Sequence, residues 1–316
     1  MAVGSRILEV DYNSIRTKVA SIMGTAADGG TGQNGYGQTL VSSSVAVGNT
    51  VTATQWNNLK WDIYNARVHQ TGNTPTIVTA VSGQPIRYGA GQPNFQLDTL
   101  ANTVITDKFA LGEAQFIVEA GTSATRSTSW NTSLSTTLTV TFGSADQARY
   151  FFNSGGKIRV TSARSGGAGS AQNNAWSNLL SSAGTISFGA IESFRGSSTV
   201  LSPNINFYNL TNSFQTLFTE SLSAPYTGNT YSIQVRSDVA NNVNGGATQL
   251  TFLISFVDTY VYTGSGTSSA PDLVDGTLTV TVEELRAQGV LQNGTLSPGV
   301  FTITRPSYSI TSISGS

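Results

Sequence analysis

Apolar residues recur at helical spacing through the first 112 residues of this 316-residue chain and alternate in strand fashion from about residue 113 onward. A 3.6-residue period places one apolar stripe on a helix, and a two-residue period places one apolar face on a strand. The change of period implies an α+β chain. Its expected parts are a small helical N-terminal module (1–112), a β-rich, sandwich-like body with two inserted helices (113–263) and an extended C-terminal arm (264–316).

Within the module, 11–23 places Ile15, Val19, Ile22 and Met23 on one helical face, with Asp11 or Asn13 as the N-cap and Gly24 at the stop. Residues 52–71 form the strongest helix pattern. Thr52 and Gln55 fit a capping box, Trp56, Leu59, Ile63 and Ala66 form the stripe, and Gly72 ends it. A weaker helix is expected over 98–108 with Leu100 and Val104 inward. Strands are expected at 134–142, 157–162, 231–237 and 277–283, and 249–257 reads as a central strand buried on both faces. Helices are expected at 144–153 and 171–183, and short extended segments close the chain.

Charge decides which partners are open to such a chain. Only 10% of residues are Asp, Glu, Lys or Arg, against roughly 25% in ordinary domains, and the formal net charge is -1. Scattered bases offer no footprint for a nucleic acid. Neutral Ser, Thr, Asn and Gln keep the surface wet but give little like-charge repulsion, so self-association is expected. No apolar run reaches membrane-spanning length, and no export signal is recognisable, so synthesis in a cytoplasm without membrane insertion is expected. With no cysteine, disulfides and thiolate chemistry are excluded.

The chemical motifs are weak. Gly30, Gly32 and Gly35 spell G-x-G-x-x-G, but a dinucleotide loop must follow a strand and open a helix, whereas this one follows a helix and opens an extended segment. A glycine-permitted turn is the better reading, and no cofactor is expected. His69, the single histidine, has no nucleophile elbow to serve. Glu283 and Glu284 are strand neighbours and should point to opposite faces. Asp272 and Asp275 lie in a turn-forming stretch, and Asp28 lacks the further acidic ligands of a calcium loop. Neither a catalytic nor a metal site is expected.

Two longer stretches carry a resemblance. The first joins YNSIRTKVASIMGT to NGYGQTLVSSSVAVGNTVTATQWNNLKWDIYNARVHQTG, with Gly35, Tyr36, Gly37, Gln38, Ser44, Val47, Gly48, Trp56, Asn57, Leu59, Asp62, Ile63, His69 and Gln70 as the matching positions. The second joins ADQARYFFNSGGKIRVTSARSGG to AWSNLLSSAGTISFG. Together they resemble virion structural proteins of tailed phages, notably contractile-tailed phages of marine cyanobacteria, over about two thirds of the chain. The resemblance implies a non-enzymatic fibre, collar, neck or baseplate-associated protein of the virion, assembled in the host cytoplasm from copies of itself (a trimer or higher ring) and other phage structural proteins.

Because short helices with single stripes do not close a core alone, Ile15, Val19, Ile22, Trp56, Leu59 and Ile63 are the expected docking residues. The rival reading is a host-receptor or glycan-binding tail module using an exposed Trp130, and a second rival is a capsule glycosidase using Asp272 with a distant acid.

Overall fold

The computed structural model describes residues 8–83, 93–113, 116–261, 273–292 and 295–315. The chain divides into two compact units, each assembled from three stretches. The first comprises Met1–Ile117, Asp146–Gly156 and Arg286–Thr304, and the second Val118–Ala145, Lys157–Leu285 and Arg305–Ser316. These units depart from the linear division at 112 and 264, because the helix after residue 144 and part of the C-terminal stretch belong with the N-terminal helices.

The first unit is built on α1 (Glu9–Met23), α2 (Ala53–Thr71) and α3 (Pro93–Thr106). α1 begins ahead of both expected caps: Asp11 reaches back to the Leu8 N–H at 3.4 Å, while Asn13 hydrogen-bonds the Val45 backbone. α2 has its expected ends, with Thr52 accepting from Gln55 N–H and Gly72 left-handed at φ 70°. α3 starts earlier than 98, and its inward positions are Leu97, Ala101 and Val104, with Leu100 only half-buried. Lys18 of α1 pairs with Asp98 of α3 at 2.8 Å, and Arg67 of α2 with Asp107 just beyond α3 at 2.6 Å. Most of α4 (Ala145–Asn153), the end of β10 (Thr277–Gln292) and β11 (Thr295–Thr302) complete this unit.

The second unit is a pair of antiparallel sheets. One runs β1 (Phe116–Arg126), β10, β3 (Lys157–Ser165), β4 (Thr185–Phe188), β5 (Ser193–Arg195) and β6 (Thr199–Val200). The other runs β12 (Ser307–Ile310), β2 (Leu134–Thr141), β9 (Gln249–Val257), β8 (Thr230–Ser237) and β7 (Gln215–Ser221), with β13 (Ser314–Gly315) on β2. Their inner faces meet: the Ser162 and Tyr231 hydroxyls are 3.0 Å apart, and the Phe188 and Phe252 rings 5.5 Å. α5 (Ala171–Ala183), capped by Ser170, buries Trp176 against Phe256.

β9 occupies the middle of its sheet but alternates strictly, so the expected burial on both faces is corrected: Phe252, Ile254 and Phe256 point inward, and Leu253 and Val257 are half-buried on the outer face. The C-terminal stretch is extended but does not hang as an arm. β10 lies between β1 and β3, in register with β3 from Thr277↔Ser165 to Leu285↔Lys157, and β12 pairs with β2.

A fragment of residues 113–263 lacks both of these strands and exposes the β3 and β2 edges they cover. It should fail to melt cooperatively by circular dichroism, whereas a 113–316 chain should do so. Cooperative unfolding of the shorter fragment would show that β10 is dispensable.

Candidate functional site

The expected docking stripe is internal, which corrects that expectation. Ile15, Val19, Ile22, Trp56, Leu59 and Ile63 are each at most 2% exposed within the single chain. The physical reason is that three narrow stripes share one centre. Residues outside the helices close what they leave open: Tyr36 and Val45 are also buried, and the irregular segment is tied down by the hydroxyl of Tyr12 in α1, which sits between the carbonyls of Ser43 and Gln55 at 3.1 and 3.2 Å. Trp130 is corrected as well. It is 5% exposed, because its backbone bridges to Val274 and its ring meets Trp176 edge-on at 5.0 Å. A stacking platform for sugar is therefore not presented there.

The glycine-rich loop is a folded turn. Tyr36, Gly37 and Gln38 donate their N–H groups back to Ile22, Gly24 and Met23 at the end of α1. A Cβ on Gly30 would lie 2.8 Å from the Gly35 Cα, so these two glycines are needed for the loop to cross itself. Its carbonyls at Gly32, Asn34 and Gly35 all lie within 3.2 Å of the Asn153 amide nitrogen. Inward carbonyls are the wrong polarity for a pyrophosphate, which needs converging N–H donors.

His69 lies at the end of α2, fully buried. Its Nε2 is 3.1 Å from the Ser154 carbonyl; a carbonyl only accepts, so Nε2 carries the proton. Nδ1 is buried without a hydrogen-bond partner, where a catalytic triad would place a carboxylate. The ring stacks on Phe301 at 4.0 Å and on Phe116 at 5.7 Å, and Tyr36 meets it edge-on at 5.0 Å. Burial holds its pKa down to about 3, with the Ser154 bond acting weakly the other way. This neutral ring ties together segments far apart in sequence, a role the lone histidine's position at a helix end did not reveal.

The acidic residues are similarly engaged. Asp28 accepts from the Thr25 N–H and hydroxyl at 3.1 and 2.9 Å. Asp275 accepts from Ala168 N–H, Asn173 and Arg164, and the Ala168 bond leads in holding its carboxyl below the usual range. Glu283 faces Arg159 at 3.6 Å, while Glu284 is fully buried on the opposite face against Arg305 at 2.7 Å and the Tyr308 hydroxyl at 2.6 Å. Asp272 lies outside the described residues. Among the described residues no group of three or more His, Asp or Glu side chains could hold a metal, and no helix is long and apolar enough to cross a membrane.

Several of the residues on which the expected resemblance rests are occupied inside the fold. Gln38 exchanges two hydrogen bonds with the Thr302 backbone at 3.2 and 2.9 Å, and Asn57 does the same with Ala80 at 3.0 and 2.9 Å. The Asp62 carboxylate receives the Val41 and Ser42 N–H groups, both at 2.9 Å, although burial still raises its pKa. Gln70 donates to the Val104 carbonyl at 2.7 Å. Ser44, Val47 and Gly48 are exposed instead, Val47 at the tip of a turn and 91% exposed. No protein-family model, curated protein or solved structure matches this chain.

Two outcomes follow. Leu59→Ala should cost about 2–5 kcal/mol of stability, as a core truncation does, seen as a lower melting temperature; an unchanged melt would return Leu59 to the surface. For His69, the folded pKa lies below the unfolded value of about 6.5, so its stabilising contribution is complete above pH 6.5 and is lost as pH falls toward 3, at up to about 1.4 kcal/mol per unit. Urea unfolding at pH 7 and pH 4 should therefore show a larger acid loss for the parent than for His69→Gln. Equal losses would mean that His69 is already protonated or exposed.

Proposed function

We propose that this chain is a non-enzymatic structural protein of a tailed-phage virion, assembled in the host cytoplasm as a homo-oligomer and attached to other virion proteins through its first unit. The attachment surface is not the helical stripe. It includes Val47, Val41 and Trp61, three of the apolar side chains this unit leaves exposed; Trp61 is 39% exposed, with Lys60 over its ring at 5.0 Å and Tyr64 against its edge. Large aromatic residues are typical anchors of protein interfaces, where they fill the desolvated centre of the contact.

The observation that carries the reading is the occupation of the resembling residues. Tyr36, Gln38, Asn57, Asp62, His69 and Gln70 are all committed to hydrogen bonds within the first unit, so the shared pattern specifies a folded module rather than a reactive centre. A module of that kind, reused by structural proteins, serves attachment. The low charge of the chain suits close packing of many copies.

Mass spectrometry of purified particles of the encoding phage should find the chain at stoichiometric level. Val47→Asp should change its stability by no more than about 0.5 kcal/mol, as surface substitutions do, Trp61→Ala should leave the chain folded by circular dichroism, and both should remove it from particles. Particles that lack the parent chain, or that incorporate both variants normally, would defeat the proposal.

A further inference from the structure

The outer faces of the two sheets in the second unit differ in chemistry. On the β3 and β10 side, outward positions include Lys157, Arg159 and Glu283. On the six-stranded side, β2 presents Ser135, Thr137, Thr139 and Thr141 outward, and its neighbours continue the pattern, with Ser255 facing Ser135 and Ser309 facing Thr139. Arg236 is the single charged residue at the described outward positions of this sheet, and it lies at the far end of β8 with its guanidinium over the Phe214 ring. Leu253, midway along the central strand, stands half-buried between Thr137 and Gln234.

A solvated sheet face normally carries charged side chains, which keep it from stacking on its like. This one carries hydroxyls around an apolar centre. Each hydroxyl both donates and accepts, so the face is complementary to a rotated copy of itself. Short Ser and Thr side chains also lose less conformational freedom on contact than Lys or Glu. Five strands at ~4.8 Å spacing and ~8 residues at ~3.4 Å make a face on the order of 600 Å², so two copies would bury about 1,200 Å², the lower bound for a specific interface. A glycan is less well served, because the outward strand positions carry no aromatic ring and the Phe214 ring at the edge of the face lies under the Arg236 guanidinium.

We propose that the outer face of the β12–β2–β9–β8–β7 sheet is the self-association surface of the protein, packing against the same face of a second copy with Leu253 near the two-fold axis. This rests on the homo-oligomeric reading above and specifies its contact.

The test is analytical ultracentrifugation of the full chain with three variants: Leu253→Lys, Leu253→Glu and Thr139→Lys. The parent should sediment as a dimer or a multiple of one. Each variant should keep the parent's circular dichroism and lose this association, and an equimolar mixture of Leu253→Lys with Leu253→Glu should recover it. Thr139→Lys keeps the test decisive if position 253 tolerates no charge in the folded monomer. An oligomer that persists unchanged in folded variants overturns the surface while leaving the homo-oligomeric reading intact. A parent that stays monomeric at high concentration overturns both, and retention of such a monomer on neutral polysaccharide, lost in Leu253→Lys, would assign the face to a glycan instead.

Discussion

Backbone polar groups taken out of water must find partners, and in this chain neutral side-chain amides supply them where strands and helices do not. Asn13 exchanges two hydrogen bonds with Val45, at 2.8 and 2.9 Å, as a neighbouring strand would. Gln38 with Thr302 and Asn57 with Ala80 repeat the arrangement. The second unit uses it too: Asn242 donates to the Phe207 carbonyl at 2.7 Å and accepts from the Ala247 N–H at 2.8 Å. The long irregular segment 39–52 is held in part this way, by Asn13 at Val45, and in part by the Asp62 carboxylate at Val41 and Ser42. That is how a chain with so few ionic residues orders its loops, and it explains an Asn-rich composition that otherwise suggests flexibility.

Much of the architecture was legible because it is written locally. The Thr52–Gln55 capping box, the Gly72 stop and the alternation of β2, β3, β8 and β10 each involve residues close in sequence. What was hidden depends on distant partners. Nothing near 144–153 indicates that α4 joins the N-terminal helices, since the tie is Asn153 reaching the carbonyls of Gly32, Asn34 and Gly35. Trp130 sits among Ser and Thr and reads as exposed, yet the bridge to Val274 draws it under α5. The early start of α3 was obscured by Pro93, which is permitted in the first turn of a helix.

The helical stripes show why amphipathic width alone is a poor measure of self-sufficiency. Each helix by itself offers a narrow apolar band, which suggests a missing partner. Burial is a property of the group, however: three bands facing one centre, roofed by Tyr12, Tyr36 and Val45, leave Trp56 and Leu59 with no exposed surface at all. An Asp62 carboxylate at the edge of that centre is tolerated because two backbone N–H groups point at it.

The same reasoning moves the search for function from the motif to the surface. A residue whose hydrogen-bonding capacity is already filled inside the fold has little left to offer a ligand, and this holds for Asp62, Asp275 and Glu284 alike, while His69 is fully buried. Among the surfaces that remain are the exposed apolar side chains of the first unit, Trp61 among them, and a broad hydroxyl-bearing sheet. Both are suited to contact over area, one through a few large anchors and the other through many small repeated ones. A sheet face that excludes charge along four strands also forgoes the protection charge gives against stacking. A fold that keeps such a face at the surface gains solubility from hydroxyls alone, which is a weak barrier to association between copies whose net charge is only -1.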